Sequence, residues 1–580
     1  MFDWKRIRRK IAEGALQEMK REGQWIFQRM RKYWGSILFY LVIGVLGTLL
    51  GLAGSISSKY LIDGVMFQNL NLLLAMLLLL ILTGLAKVGL DAWSGIYLRR
   101  VSLKVQNELL AQVYHDIFCT RWQSMSKYHS GDLLSRLNSD VNTVSANVLS
   151  WFPSFVTTGV HGLGSLVIML YYDKTMTVIA LLSAPVSLLL SRVLLVRMRD
   201  HNKKMRQVGS ELMGFTDESF QHVHTIKALH LTDIFENRLK AVQNKYMTEA
   251  EEYNQFSVQA ASFMSVLSLM VSVLCMAWGV FRLWNGYITY GTMTLFLQLA
   301  RSLSRDLSGI IRMVPSAISA LTSAGRIIEV TELPKEPVGN SVNIQHIEDQ
   351  KQYGLSIRLQ EVSFSYKRGE AVLKGCSLEL NPGDYAAIMG RSGCGKTTLL
   401  RMVLGMIQPD EGKAAVAAVD GVSEPLGAGT REWIAYVPQG NTIFSGSIAE
   451  NLRVVVPTAT EQEMIEALQV ACAWEFVSKL PGGLQGIVGE KGIGLSEGQA
   501  QRIAIARAVL KKAPVILFDE ATSALDQETG CQILRNIKQH MTYCTCLIVT
   551  HRTSVLEVCN RFFYMRNGHL TEDTRSYAQQ

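Results

Sequence analysis

The run LLLAMLLLLILTGLA at residues 72–86 contains no charged side chain and a single hydroxyl. Apolar stretches of comparable reach, about 20 residues and so long enough to cross a hydrocarbon core, occur at 37–58, 72–97, 148–171, 176–196, 263–283 and 289–314. They lack the alternation of strands, and the leucine run is too apolar all round for a half-buried soluble helix. The first half of the chain is therefore expected to hold six transmembrane helices. Composition agrees: 580 residues, 48% hydrophobic and 18% charged, with mean hydropathy +0.15, are too long and too apolar for one soluble domain.

Lysine and arginine in the flanks set the orientation. Lys5, Arg6, Arg8, Arg9, Lys10, Lys20, Arg21, Arg29, Arg31 and Lys32 precede the first span, and Arg197, Arg199, Lys203, Lys204 and Arg206 follow the fourth. Both ends are expected in the cytoplasm. The external connections are then short, around 63–71, 173–175 and 284–287, while the long polar stretches 106–141 and 197–253 lie inside. Residues 1–34, with Trp4, Ile7, Ile11, Leu16, Trp25, Ile26 and Tyr33 among the basic side chains, read as an amphipathic helix on the inner leaflet. Their apolar continuation begins too late and runs too long for a cleaved signal. The net charge of +9 follows from this bias and from anionic lipid contacts, and nothing calls for nucleic acid.

The second half opens on different chemistry. GRSGCGKTT, residues 390–398, matches G-x-x-x-x-G-K-[ST] and follows the strand-like DYAAIM. Gly390, Gly393 and Gly395, with Arg391, Ser392 and Cys394 between them, form a loop whose backbone N–H groups can curl around phosphate oxygens. The helix that follows directs its positive end at the same anion. Lys396 would reach the β/γ-phosphates of a nucleoside triphosphate and Thr397, next to Thr398, the Mg²⁺. Downstream, VILF ends in Asp519-Glu520, so a buried strand delivers two carboxylates to its edge. There Asp519 can hold the Mg²⁺ shell and Glu520 can polarise water.

LSEGQ at 495–499 before AQRIAIARAVL, SALD at 523–526, His551 after CLIVT and Gln439 in YVPQ complete the set. In this order and spacing it resembles the ATP-binding cassette family over residues 355–571. SKYLIDGV at 58–65, SGDLLSRLNSDV at 130–141 and SAGRIIEV at 323–330 resemble segments of that family's exporter branch, in which six spans precede one cassette in a half-transporter. The resemblance implies a multi-domain membrane protein, an all-α six-helix transmembrane domain followed by an α/β P-loop nucleotide-binding domain. The expected division is an N-terminal helix region 1–34, the transmembrane domain 35–330, a linker 331–354, the cassette 355–571 and a polar tail 572–580.

It further implies roles. Tyr366 would stack on adenine, and Gln439 would touch the Mg²⁺ or the attacking water. Glu520 would be the general base, and His551 would hold the γ-phosphate and water in line. Ser496, Gly498 and Gln499 would meet ATP held by a second subunit. Coupling helices are expected near 122–129 and 214–223, with Phe215 and Phe220 as docking aromatics. The implied activity is ATP-driven export or flipping of an amphipathic lipid, peptide or drug-like molecule in the cytoplasmic membrane, by a dimer of this chain or by a heterodimer with another half-transporter. Chelate import and an ATP-gated channel are the alternatives.

Three features stand apart from this pattern. The usual signature reads LSGGQ, and here Glu497 takes the third position; it is expected to point away from the phosphate, leaving a working ATPase. LQLARSLSRDLSGIIRMVPS in the sixth span places Gln298, Arg301, Arg305, Ser308 and Arg312 on one helical stripe. An arginine at the bilayer centre costs about 2.5–3.5 kcal/mol, so such groups face a bundle interior or a watery cavity. Lys87 and Asp91 add charge one turn apart in the second span. Two readings compete: substrate contact through Gln298, Arg301 and Arg305, or an internal ion pair of Arg305 with Asp306 or Asp91. Finally, nine cysteines lie scattered, without zinc spacing and mostly in cytoplasmic segments where disulfides are rare, and the eleven histidines form no metal motif.

Overall fold

The computed structural model describes residues 15–128, 130–178, 204–205, 207–337, 339, 341–366, 369–440, 442–489 and 494–573. They form two compact units, the first covering Met1–His115 and Ser130–Val330, the second Asp116–His129 and Thr331–Gln580.

Among its described residues, the first unit consists of helices and their connections. Its main elements are α1 (Ala15–Met30), α2 (Trp34–Met66), α3 (Leu70–Phe118), which runs on into the second unit, α5 (Ser130–Ser135), α6 (Val141–Tyr172), α7 (Val223–Ala228), α8 (Thr232–Trp284) and α9 (Tyr290–Thr331); the one-turn α4 (Trp122–Met125) belongs to the second unit. Among the described residues, three helical stretches are long and apolar enough to cross a membrane: Lys20–Met66, Leu70–Phe118 and Ser130–Tyr172. The expected fourth span, 176–196, lies largely outside the described residues. The fifth falls at the end of α8, and the sixth lies in α9.

Small residues set the helix approach. A side chain at Gly164 of α6 would collide with Leu52 of α2, and one at Gly44 of α2 would meet Thr157 at 2.8 Å, so each helix seats a side chain of the other on a glycine. Leu52, Met169, Met176, Leu295, Phe296 and Leu299 form the apolar centre beside them. At one end, Asp63 accepts from the Gly291 amide at 3.0 Å and pairs with Lys59 at 3.1 Å, which fixes the end of α2 to the start of α9. SGDLLSRLNSDV and SAGRIIEV, far apart in sequence, meet in one ion network. Arg136 binds Asp132 at 2.9 Å and Glu329 at 2.7 Å, and Arg326 binds Asp132 at 2.7 Å and Asp140 at 3.0 Å.

The second unit is built on two larger sheets and a two-stranded antiparallel ribbon of β7 (Gly446–Ser447) and β8 (Ile487–Val488). A six-stranded sheet has the order β12-β11-β3-β10-β9-β6, with β3 (Tyr385–Met389), β6 (Ile434–Val437), β9 (Val515–Asp519), β10 (Thr545–Val549) and β11 (Arg561–Arg566) parallel and β12 (His569–Glu572) antiparallel at the edge. Every residue of β9 and β10 is buried, as continuous apolar runs in a sheet covered on both faces require. A second, antiparallel sheet has the order β2-β1-β4-β5, from β1 (Ser356–Ser365), β2 (Ala371–Leu380), β4 (Glu411–Ala417) and β5 (Ser423–Pro425). The helices used below are α10 (Ser341–Gln350), α11 (Lys396–Val403), α12 (Ile448–Arg453), α13 (Glu461–Val470), α14 (Trp474–Val477), α15 (Glu497–Leu510) and α16 (Gln527–His540).

Candidate functional site

Sheet register gathers the predicted residues. Val549 pairs with Asp519 and with Ile388, and Val437 pairs with Phe518, so β3, β6, β9 and β10 end together at one edge. From that edge leave the glycine loop, Gln439, Asp519-Glu520 and His551. Ligands of open parallel sheets bind outside the carboxyl ends of the strands.

The loop between β3 and α11 has the geometry a phosphate needs. Gly395, the N-cap of α11, sits at φ 112°, where side chains are disfavoured, and supplies no capping side chain. The first amides of α11 are thus left to an external anion. A Cβ on Gly390 would strike the Met565 carbonyl. Lys396 is 6% exposed. Its ammonium donates to the carbonyls of Gly390 at 2.6 Å and Arg391 at 3.1 Å and lies 3.2 Å from His551 Nε2. No carboxylate pairs with it among the described residues. A buried cation held only by neutral groups is chemically matched to phosphate oxygens.

The two carboxylates diverge because the backbone does. Asp519 completes β9, is buried, and accepts from the Tyr436 hydroxyl at 3.2 Å. Burial raises its carboxyl above the usual aspartate range, the Tyr436 hydroxyl and Thr397 oppose the shift, and the Glu520 charge adds to it. Divalent cation binding would relieve that penalty. Glu520 adopts φ 51°, a left-handed conformation that costs a non-glycine residue about 1–3 kcal/mol. Its amide is fixed on Val549 O at 3.0 Å. The turn sends its carboxylate to Gln439, which donates from Nε2 at 2.9 Å, and to His551 Nε2 at 3.1 Å. His551 Nε2 can accept from Lys396 or donate to Glu520, but one tautomer cannot do both. The residues present therefore fit a nucleoside triphosphate with Mg²⁺: Thr397 and Asp519 would hold the ion and Lys396 the phosphates.

Tyr366 lies just past β1, is 40% exposed, and packs edge-on against Phe364 at 5.0 Å. Its hydroxyl accepts from Arg401 at 3.0 Å. Ser496 is the N-cap of α15 and forms a capping box with Gln499; Glu497 is exposed. A Cβ at Gly498 would meet the Ala524 carbonyl at 2.8 Å, so α15 starts directly against the SALD turn. The structure adds residues that the sequence reading passed over. Arg552 donates to the carbonyls of Ser523 and Leu525, and Gln501 accepts from Ala524 N, tying the SALD turn to the loop after His551 and to α15. Arg507 of α15 donates to Thr442 O at 2.9 Å and Asn451 Oδ1 at 2.7 Å, clamping the segment that follows Gln439. Burial among neutral groups lowers its pKa to about 10. An arginine inside the apolar run IAIARAVL was the available signal.

In the first unit, Gln298, Arg301 and Arg305 are exposed on one face of α9, while Leu295, Leu299 and Leu303 are buried on the other. Gln298 donates to Ser55 Oγ at 3.1 Å. The internal ion-pair reading of Arg305 is not what forms. Asp306, next to it in sequence but turned by the helical 100° per residue, pairs with His161 Nδ1 at 2.6 Å, and Asp91 packs against Gly47 of α2. Neither Arg301 nor Arg305 has an ionic partner among the described residues. The side chains of Ser308 and Arg312 lie outside the description. Phe215 stacks on Phe235 at 5.8 Å within the first unit, and Phe220 is 73% exposed. All nine cysteines are free.

A helical membrane unit fused to a P-loop unit with these motifs at one sheet edge defines an ATP-driven membrane transporter. The family model for the ABC transporter transmembrane region matches residues 37–307, and that for the ABC transporter matches 373–523. The chain is 30% identical over 458 residues to the ATP-dependent lipid A-core flippase of Chromobacterium violaceum, covering 78% of this chain and 76% of the relative. It is 26% identical over 578 residues to the ABC transporter ATP-binding protein YfiC of Bacillus subtilis, covering 98% and 92%. A bacterial Atm1-family ABC exporter solved with ATP bound shares the fold at TM-score 0.79 and 22% identity, covering 94% of this chain and 95% of that one. The chain belongs to the ABC transporter family, as an exporter-type half-transporter whose cassette hydrolyses ATP to drive transport.

Proposed function

We propose that two copies of this chain form an exporter in the cytoplasmic membrane, with the cassettes inside, that moves amphipathic molecules carrying an acidic group. The observation behind the substrate class is the exposure of Arg301 and Arg305 on α9, opposite the buried leucine face and with no ionic partner among the described residues. Facing lipid would be costly for both, so they line a polar pathway, where a doubled stripe of guanidinium groups calls for anionic compensation. The relative named as a lipid A-core flippase fits a lipid-like cargo.

In the cassettes, Lys396 and the loop amides hold the phosphates of ATP, and Tyr366 carries the base. Thr397 and Asp519, with Gln439, would hold Mg²⁺, which would supply charge neutralisation at the phosphates. Glu520 takes the proton of the attacking water, and Gln439 and His551 orient that water from either side of the carboxylate. Ser496, Gly498 and Gln499 of the second copy close the site from the other cassette. Closure and hydrolysis alternate access between the two membrane faces.

The test is ATP-dependent accumulation of acidic and neutral amphiphiles in inside-out vesicles. Arg301→Ala and Arg305→Ala are each expected to raise the half-saturating concentration of an acidic substrate about tenfold, equivalent to 1.4 kcal/mol, and to leave a neutral analogue nearly unchanged. Equal losses for both substrates would make the stripe structural. Flux down a gradient without ATP turnover would make the protein a channel.

A further inference from the structure

Residues 116–129 precede most of the membrane unit in sequence yet belong to the cassette unit. They are tied there by the Arg121 amide on Pro334 O at 2.9 Å and by Lys335 on Asp116 at 3.3 Å. α4 itself is one turn with no side-chain cap, too short to hold its own conformation. Its anchor is Trp122, packed partly buried against the cassette core, with the Arg401 guanidinium 4.5 Å from its ring centroid. The same guanidinium donates from Nη1 to the Tyr366 hydroxyl at 3.0 Å, and that hydroxyl lies 3.4 Å from Thr398 Oγ1 in the phosphate loop. One guanidinium thus touches the Trp122 indole and the Tyr366 phenol at once.

We propose that Arg401 is a positioning residue that links the base end of the nucleotide site to the first cytoplasmic loop, so that a base settling on Tyr366 is registered at Trp122. The Tyr366 ring packs edge-on against Phe364, and its hydroxyl is held by Arg401 beside Thr398. Arg401 lies in α11, which begins at Lys396, so its backbone is fixed by the helix that carries the phosphate loop. A planar guanidinium can stack on an indole and donate in its own plane at the same time, which an ammonium does less well. The proposal rests on Tyr366 as the base platform.

Tryptophan fluorescence of the full-length protein tests it, with Trp122→Phe subtracted to isolate the Trp122 signal. MgATP is expected to change Trp122 emission. Inorganic tripolyphosphate, which fills a phosphate loop but has no base, is expected to leave it unchanged. Arg401→Gln should abolish the ATP response and raise KM for ATP about three- to tenfold with kcat changed less than about twofold. Arg401→Lys, which keeps the charge and guards against a folding defect, should fall between. Trp122→Ala should leave KM and basal turnover as in the wild type while lowering substrate-stimulated turnover. Equal responses to ATP and tripolyphosphate, or an Arg401→Gln protein with wild-type KM and emission response, would overturn the link. If Tyr366→Ala leaves KM unchanged, the base platform itself fails and the proposal falls with it.

Discussion

Replacing Glu520 by glutamine changes one atom and separates binding from chemistry. In the structure Glu520 Oε2 accepts from Gln439 at 2.9 Å, and Oε1 lies 3.1 Å from His551 Nε2. An amide oxygen can keep the bond from Gln439, and the amide NH₂ can donate to His551 Nε2. Both contacts therefore survive, and what is lost is charge assistance, about 1 kcal/mol. The like-charge effect of Glu520 on Asp519 disappears as well, which lowers the raised Asp519 pKa. ATP affinity should thus stay within about threefold of wild type. Turnover loses the base, a factor of about 10²–10⁴, or about 2.7–5.4 kcal/mol of barrier at 1.36 kcal/mol per tenfold. Phosphate release gives kcat, equilibrium binding of labelled ATP gives Kd, and gel filtration with bound ATP detects a trapped closed dimer. Hydrolysis within about tenfold of wild type would remove Glu520 from its role, and a loss of binding equal to the loss of turnover would make it an ATP-holding group instead.

Asp519→Asn should abolish Mg²⁺-dependent turnover but raise the Tm of the nucleotide-free protein at pH 7 by about 2 °C. Because burial raises the Asp519 pKa, its ionised form is a cost that appears as pH rises through the folded value, so the gain should vanish below about pH 4; a lower Tm at pH 7 would contradict this. Maleimide on Cys394, half-buried within the phosphate loop, should inactivate the ATPase and bound ATP should protect it, with Cys394→Ser as the unreactive control; full activity after stoichiometric labelling would refute it. Glu497→Gly should change kcat less than about tenfold, and a larger gain would mean that the acid holds the site below its capacity.

What the sequence disclosed was periodic or contiguous. β3, β9 and β10 are unbroken apolar runs, and the groups at their ends were legible because a parallel sheet puts all such ends on one edge. The leucine-rich α3 was legible for the same reason. The rest depended on partners distant in the chain. No local pattern tells that Asp132 and Arg136 will find Arg326 and Glu329, or that Arg507 will reach Thr442 and Asn451. The fate of Arg305 was ambiguous because adjacent residues on a helix diverge: Asp306 turns inward to His161 while Arg305 stays exposed, and spacing alone left both options open.

The two helix starts proposed to meet ATP are built differently, and the difference bears on Glu497. α11 begins at a glycine with no side-chain cap, so its first amides await an outside acceptor. α15 begins with a closed capping box: Ser496 Oγ accepts from Gln499 N at 3.2 Å, and Gln499 Oε1 accepts from Ser496 N at 2.9 Å. That box commits the Gln499 side chain to its own helix, yet it uses neither the Glu497 nor the Gly498 amide, and those two remain for a γ-phosphate offered by the other cassette. An acid at the first helical position is where the helix dipole favours negative charge, by about 0.3–1 kcal/mol. With its side chain exposed, Glu497 stabilises the separated cassette without occupying the donors beside it. The same charge opposes the approach of phosphate, and screening by solvent weakens that repulsion only until the cassettes close. The departure from LSGGQ therefore acts on the closing step rather than on hydrolysis at Glu520, and its signature would be a higher ATP concentration for dimer closure at an unchanged rate of cleavage once closed.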